Sequence, residues 1–351
     1  MKLLDRATQG QGAEQRRRLA GGARARLRVP REYAVSSATL LGLVVVLGLV
    51  SPHFLTVSNF ADIARVVAIT GIMAAGMTFV IVTGSGGIDL SVGSTLALAA
   101  VVSSAFLSGT YSNSAFVTEF RLPVIAAVLL GLLVGSAVGL LNGLIITRTG
   151  IEPFIATLGT MILVRGLVYL LTGGFPILFR TMPTDFAWLG RGYALGIPAP
   201  TVIFALVIVV SWWIARRTTL GRAIYAIGGN EEAARLSGVA VRRTKLLAYT
   251  FLGLLAGLSG IILTSRVGSA EPISGTGTEL TVIAGVVIGG TSLAGGRGSV
   301  IGTVFGVFIL GVVQNALNLL GVSTDYQLVS TGILLVAAVS IDGYIRTRRR
   351  D

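Results

Sequence analysis

The sequence contains no cysteine and only one histidine, His53. Without cysteine there is no disulfide framework and no thiolate-ligated metal site. Charge is also scarce, at 12% of residues, and acids are the scarcer sign, with 15 Asp and Glu against 28 Lys and Arg. No Gly-x-x-x-x-Gly-Lys-Ser/Thr pattern occurs, so the chain has no phosphate-cradling loop of its own. No loop assembles a base, a nucleophile or a metal-ligand cluster, which excludes the common forms of catalysis. No polar stretch is long enough for a second soluble domain.

What fills the chain instead is apolar. Hydrophobic residues make up 53% and the mean hydropathy is +0.84. That leaves too little polar surface for a soluble globule of this size, and several apolar runs approach bilayer length. The chain reads as an all-α polytopic membrane protein. Its 47 glycines would weaken soluble helices, but membrane helices use small residues to bring backbones together.

The net charge of +13 could suggest nucleic acid as a partner, but its placement argues against that. Basic residues cluster before Glu32, between Arg216 and Lys245, and between Arg346 and Arg350. By the positive-inside rule these clusters mark cytoplasmic segments. Residues 1–33 read as a disordered basic tail lying against anionic lipid headgroups, and 346–351 as a second basic tail. The first apolar stretch continues as an anchor, so a cleaved signal peptide fits poorly.

Apolar runs fall near 34–50, 62–82, 91–108, 122–146, 154–172, 199–214, 244–264, 279–290, 299–320 and 327–342. They suggest about ten transmembrane helices within a membrane domain of 34–345. An even count puts both termini in the cytoplasm, the loop 215–243 inside, and the sparse segments 109–121 and 173–198 outside. The run 279–290 would be about 18 Å long as a helix, too short to cross alone, and reads as broken or re-entrant.

Two glycine-rich breaks interrupt the apolar pattern. In the first, Gly84-Ser85-Gly86-Gly87 parts two apolar segments. Backbone freed in this way survives in a bilayer only if it is packed in protein or lines a wet cavity. Asp89 is placed to cap a helix starting near Leu90, with Ser91 as a second acceptor. Two readings stand for Asp89, a structural cap or a group lining a translocation path. The second break repeats Gly-Gly-x-x-Leu-x-x-Gly, at Gly86 to Gly93 and again at Gly289 to Gly296, with Thr291 and Ser292 inside it. Paired breaks point to an internal repeat with a transport site at its interface.

Other residues suggest packing. Gly131, Gly135, Gly139 and Gly143 recur every four residues, as do Gly298, Gly302 and Gly306, forming ridges for close helix approach. Gln314, Asn315 and Asn318 suit interhelical hydrogen bonds, and Asn315 and Asn142 join Gly86, Gly87, Asp89, Ser91, Gly289, Gly290, Thr291 and Ser292 as the set expected at the translocation path or the helix breaks. Arg165, mid-span, needs an acceptor, either a structural ion pair or a substrate. His53 reads as interfacial, and Arg297 as lying at the inner boundary. In the basic loop, Asn230 can cap a two-turn helix through Glu231, Glu232, Ala233, Ala234, Arg235, Leu236 and Ser237, ended by Gly238. From the residues alone it is either an ordinary surface helix or a docking element.

Four stretches together resemble a known family. GGIDLSVGS (86–94), GLLNGLIITRTGIEPFIATLGT (139–160, holding Asn142), YAIGGNEEAARLSGV (225–239) and VVIGGTSLAGGRGSVIGT (286–303) look like the ribose/xylose/arabinose-type permeases of bacterial ABC importers. The resemblance runs over about residues 52–342. It implies an inner-membrane subunit importing a pentose or hexose by alternating access. The implied partners are a second permease copy, an extracytoplasmic sugar-binding protein, and a separate ATPase subunit that uses ATP and docks on the Asn230 to Gly238 helix. No cofactor would be bound by this chain. Related permeases carry nucleosides, autoinducer or branched-chain amino acids, and an ion-coupled secondary transporter is a more distant alternative. The chain departs from the family at Glu279-Leu280-Thr281, where Asp commonly follows Glu-Leu, and in a longer first break.

Overall fold

The computed structural model describes residues 31–107, 109–112, 114, 116 and 120–347. Nearly all of the tail 1–33, and Arg348 to Asp351 of the second tail, lie outside them. The chain divides into Met1–Val35 and Ser36–Asp351, and the second unit holds every candidate site residue.

Thirteen helices are described: α1 (Arg31–Val50), α2 (Val57–Val82), α3 (Val92–Ala105), α4 (Val124–Thr149), α5 (Pro153–Thr172), α6 (Thr184–Arg191), α7 (Ala199–Arg217), α8 (Thr219–Gly229), α9 (Glu231–Leu236), α10 (Val241–Val267), α11 (Thr278–Ile288), α12 (Val300–Leu319) and α13 (Thr324–Thr347). Each apolar run of the sequence falls on one of them. Six, namely α2, α4, α5, α7, α10 and α12, are long and apolar enough to cross a membrane. Val35–Val50, α3, α11 and Asp325–Ala337 are shorter apolar helices. The segment 173–198, read as a sparse loop, holds α6 and the strands β2 (Ile177–Phe179), β3 (Tyr193–Ala194) and β4 (Ile197–Pro198). Its strands are only two or three residues long and α6 only eight, too short for the apolar pattern to mark them as spans.

The bundle is built around α2 and α10. The apolar windows of these helices are 83% and 61% buried inside the protein, against 28% for α4 and α7 and 22% for α5, whose apolar outer faces the chain leaves uncovered. The α4–α10 crossing is glycine on glycine. A Cβ on Gly135 would sit 2.4 Å from the Gly253 carbonyl oxygen, and one on Gly139 would sit 2.2 Å from that of Tyr249. The second ridge packs the same way, since a Cβ on Gly306 would lie 1.9 Å from the Gly285 oxygen. At these positions the ridges are backbone contacts, as small-residue spacing implies, whereas Gly131 and Gly298 lie against side chains.

At one end of the bundle a small antiparallel sheet, ordered β1–β2–β5, ties together the exits of three helices. β1 (Thr110–Tyr111) follows α3, β2 follows α5, and β5 (Ser269–Ala270) follows α10. At the opposite, basic end, α2 runs out at Val82, α4 ends beside Arg148, and α8 and α9 lie before Lys245. The chain from β5 then turns back into the bundle. A Cβ on Gly93, in the first turn of α3, would fall 2.1 Å from the Gly275 oxygen. The N-termini of α3 and α11, two helices too short to cross the bilayer, thus meet inside the bundle. Arg165 holds this loop by donating from Nη1 to the carbonyls of Pro272, at 2.5 Å, and Ser274, at 2.8 Å. Its hydrogen-bond acceptors are backbone carbonyls, and the Glu279 carboxylate acts on it electrostatically from beyond ion-pair contact distance.

Candidate functional site

The basic loop folds as its residues dictate. Asn230 takes an extended conformation and its Oδ1 accepts the Ala233 N–H at 2.9 Å, capping α9. Glu231 and Glu232 face the positive helix end and Arg235 the other. Gly238, at φ +84°, ends the helix in the left-handed region, and its N–H reaches the Arg235 carbonyl. Glu232, Ala233, Arg235, Leu236, Ser237 and Gly238 are exposed, while Ala234 is buried against its own chain. The side chain open to a partner is therefore Leu236, 80% exposed, rather than Ala234 at the helix centre. Leu236 thus stands as one exposed apolar residue among charged neighbours.

Glu231 ties this helix to the first glycine break. Its Oε2 accepts the Ser85 hydroxyl at 2.7 Å and Lys245 Nζ at 2.8 Å. Partial burial pushes the Glu231 carboxyl up, but the hydrogen bonds from Lys245 and Ser85 and the Lys245 charge outweigh this and hold it below the ordinary value. A cavity of ≈ 340 Å³ opens beside the pair, against the turn from Thr147 to Pro153 that joins α4 and α5.

The two breaks meet each other. A Cβ on Gly295 would lie 2.3 Å from Gly84 Cα, and one on Gly228, in α8, would lie 1.8 Å from the Val82 oxygen. The Gly296 N–H donates to Val82 O at 2.9 Å. Three glycine segments are thus in backbone contact at the basic end, next to α9. They are not structural repeats of each other. Gly86 has φ +66° and Gly289 a right-handed φ of −67°, while Gly93 sits inside α3 and its sequence match Gly296 lies in a loop at φ +71°. The shared pattern reflects a common need for close backbone approach. A Cβ on Gly87 would meet Val80 O at 2.4 Å, and one on Gly289 would meet Gly302 O at 2.5 Å. Gly290, at φ +88°, has open space and is needed for its conformation instead. Thr291 and Ser292 are buried in the same loop, and Arg297 is exposed there.

Asp89 belongs to a different place. α3 begins at Val92, two residues later than the cap reading requires, with Ser91 as its N-cap residue. The Asp89 carboxylate instead holds the approach to the helix. Its Oδ1 accepts the Ser91 N–H at 2.8 Å and the Ser91 hydroxyl at 2.7 Å, and its Oδ2 accepts Asn142 Nδ2 at 3.1 Å. Asn142 also donates to Ser91 Oγ at 2.8 Å. Asp89 is 2% exposed and Asn142 fully buried, so within one chain the cluster is sealed. Asn315 is remote from it: it forms a reciprocal amide pair with Asn59, at 2.8 and 3.1 Å, joining α12 to α2 near the sheet end. The expected translocation-path set therefore separates into a sealed Asp89–Ser91–Asn142 cluster, glycine contacts at the basic end, and one amide pair far away. Ser85 and Lys245 were not singled out by sequence. Lys245 carried a signal, a lysine at the very start of an apolar run.

A family model described as "Branched-chain amino acid transport system / permease component" matches residues 59–339. The chain belongs to that permease family. Among relatives of this permease, the ribose import permease protein of Bacillus subtilis (strain 168) is 47% identical over 300 residues, covering 86% of this chain and 89% of the relative. That of Escherichia coli (strain K12) is 43% identical over 309 residues, covering 88% and 92%. The L-arabinose ABC transporter permease protein of Azospirillum brasilense is 38% identical over 304 residues, covering 87% and 85%. No solved structure matches the permease. Both breaks, α9 and the Asp89 cluster all lie inside the matched region.

Proposed function

We propose that the chain is the membrane-spanning permease of an ATP-driven, binding-protein-dependent importer of a monosaccharide, a pentose or hexose, working by alternating access. The observation that carries this reading is the union of an exposed α9 face with a Glu231 anchor to the glycine break, in a chain whose relatives are named for ribose, allose and arabinose. A partner pushing on α9 would move Ser85, and through Gly84 the segment around Gly295. In this reading α1 to α5, α7 and α10 to α13 make ten membrane segments, with α3 and α11 as half-helices. Both termini and α9 face the cytoplasm of a bacterial inner membrane. Two permease copies pair, a separate ATPase docks on α9 and supplies the ATP chemistry, and a sugar-binding protein docks at the sheet end. This chain itself holds no cofactor.

The test is reconstitution of the permease with its ATPase and binding protein in liposomes, with uptake of labelled ribose, allose and arabinose. ATP-dependent uptake of at least one, absent when the binding protein is left out, is the expected result. Uptake of leucine or a nucleoside alone would replace sugar by another solute. Uptake driven by a proton or sodium gradient without the ATPase would overturn the ATP-driven reading.

A further inference from the structure

Two cavities at the basic end share a wall. One, of ≈ 560 Å³, lies between α8 and the start of α10, with Arg222 and Arg243 at its rim. The other, of ≈ 260 Å³, is a slot with Phe79, Phe251 and Leu254 in its walls. Leu220 and Leu247 line both, so the charged cavity and the apolar slot lie side by side across these two leucines. From Leu247 to Leu254 the slot follows α10 for about 10 Å by the helical rise. Its other walls include α4 and α7, whose apolar windows are only 28% buried by the chain itself.

The two arginines are exposed. Among the described residues the ion pairs are Arg65–Asp62, Arg235–Glu232 and Lys245–Glu231, none involving Arg222 or Arg243. Two cations are thus free for an anion at the cavity rim, and an apolar slot lies alongside. A single molecule that satisfies both has an anionic head and a hydrocarbon tail. We propose that this groove is a binding site for an anionic phospholipid, its phosphate between Arg222 and Arg243 and an acyl chain in the slot between α7 and α10. Basic pockets between membrane helices recognise lipid headgroups by this combination. A free phosphate would use the arginines and leave the slot empty. A carboxylate of a docked ATPase would do the same.

The experiment uses the full chain in detergent, stripped of lipid and titrated with phosphatidylglycerol or phosphatidylcholine under native mass spectrometry. Wild type should hold phosphatidylglycerol about 30-fold more tightly, as two surface cations imply. Arg222→Gln with Arg243→Gln should reduce it to the phosphatidylcholine level, Arg222→Lys with Arg243→Lys should keep most of the preference, and Ser136→Phe, which fills the slot, should weaken retention of phosphatidylglycerol. Equal retention of the two lipids by wild type overturns the proposal. So does displacement of the lipid by millimolar inorganic phosphate, which marks a simple anion site. If the double Gln variant keeps its lipid preference and loses the ATPase on co-purification, the arginines serve that partner instead. Should the Gln variant fail to fold, the wild-type comparison, the Lys pair and the slot variant still decide.

Discussion

A carboxylate sealed in a bundle is tolerable only when donors surround it, and Asp89 has the Ser91 N–H, the Ser91 hydroxyl and Asn142 Nδ2. Asp89→Leu should strand those donors at about 1–3 kcal/mol for each group left buried and unpaired. Asp89→Asn should cost less, because its amide oxygen can still accept from Ser91 and Asn142 can turn over; Asn142 Oδ1 is buried with no partner among the described residues. Thermal unfolding in detergent should rank wild type above Asn and Asn well above Leu. If Asn and Leu fall equally, the buried charge itself is required. At Glu231 the relevant variable is pH. Its folded carboxyl lies below the ordinary value of 4.5, so its contribution to stability is fully present above that value and is lost as pH falls through the lower, folded value. The stability gap between wild type and Glu231→Gln should therefore be constant from neutral pH down to about 5 and shrink only below it. A gap that closes between pH 8 and 6 would assign the effect to another group.

At the scale of elements, glycines divide by what surrounds them. Gly253→Ala would drive a Cβ to 2.3 Å from the Gly135 carbonyl oxygen, a backbone atom that cannot swing aside. It should cost about 1–3 kcal/mol or more and loosen α4 from α10. Gly166, in α5, has nothing within 4 Å of its added Cβ, so Gly166→Ala should leave stability equal or raise it by up to about 1 kcal/mol. Similar melting temperatures for the two would contradict the packing described. The α9 helix makes a second contrast. Leu236→Arg should leave the fold intact and weaken ATPase co-purification by tenfold or more, about 1.4 kcal/mol. Ala234→Arg should instead destabilise the chain itself, because Ala234 is buried in it. Unchanged ATPase binding by Leu236→Arg would remove α9 as the docking element. The helices were legible from apolar runs, and α9 down to its cap and its terminating glycine, because those signals are local. The side of α9 turned inward was not, since six residues do not define a stripe. Nor were the contacts among Gly84, Gly228 and Gly295, or between Asn59 and Asn315, which join distant parts of the chain and leave no periodic trace.

For the whole molecule the charge pattern and the helix inventory make one claim about orientation. Arg216, Arg217, Arg222, Arg242, Arg243 and Lys245 gather at the end where α9 lies, opposite the sheet. Reporters inserted near Gly221 or fused after Arg350 should score cytoplasmic, and one near Ser112 should score external. An external score at Gly221 would break the ten-segment arrangement. The sealed Asp89 cluster also bears on the assembly. Under the proposed pairing of two permease copies, the closed Asp89 cluster makes their shared face the place to test for a solute path: cross-linking across it should block uptake without changing ATPase docking.

The β1–β2–β5 sheet sets a clock on biogenesis. Its central strand, Ile177–Phe179, can pair with Thr110–Tyr111 as soon as it emerges, but its other edge stays open until Ser269–Ala270 is made. At roughly 5–20 residues per second, the intervening stretch of about 90 residues takes about 5 to 20 seconds to synthesise. During that interval the protein carries an unpaired strand edge at the end of the bundle opposite α9. Release of the chain before α10 has inserted would leave that edge as the place where misassembly begins.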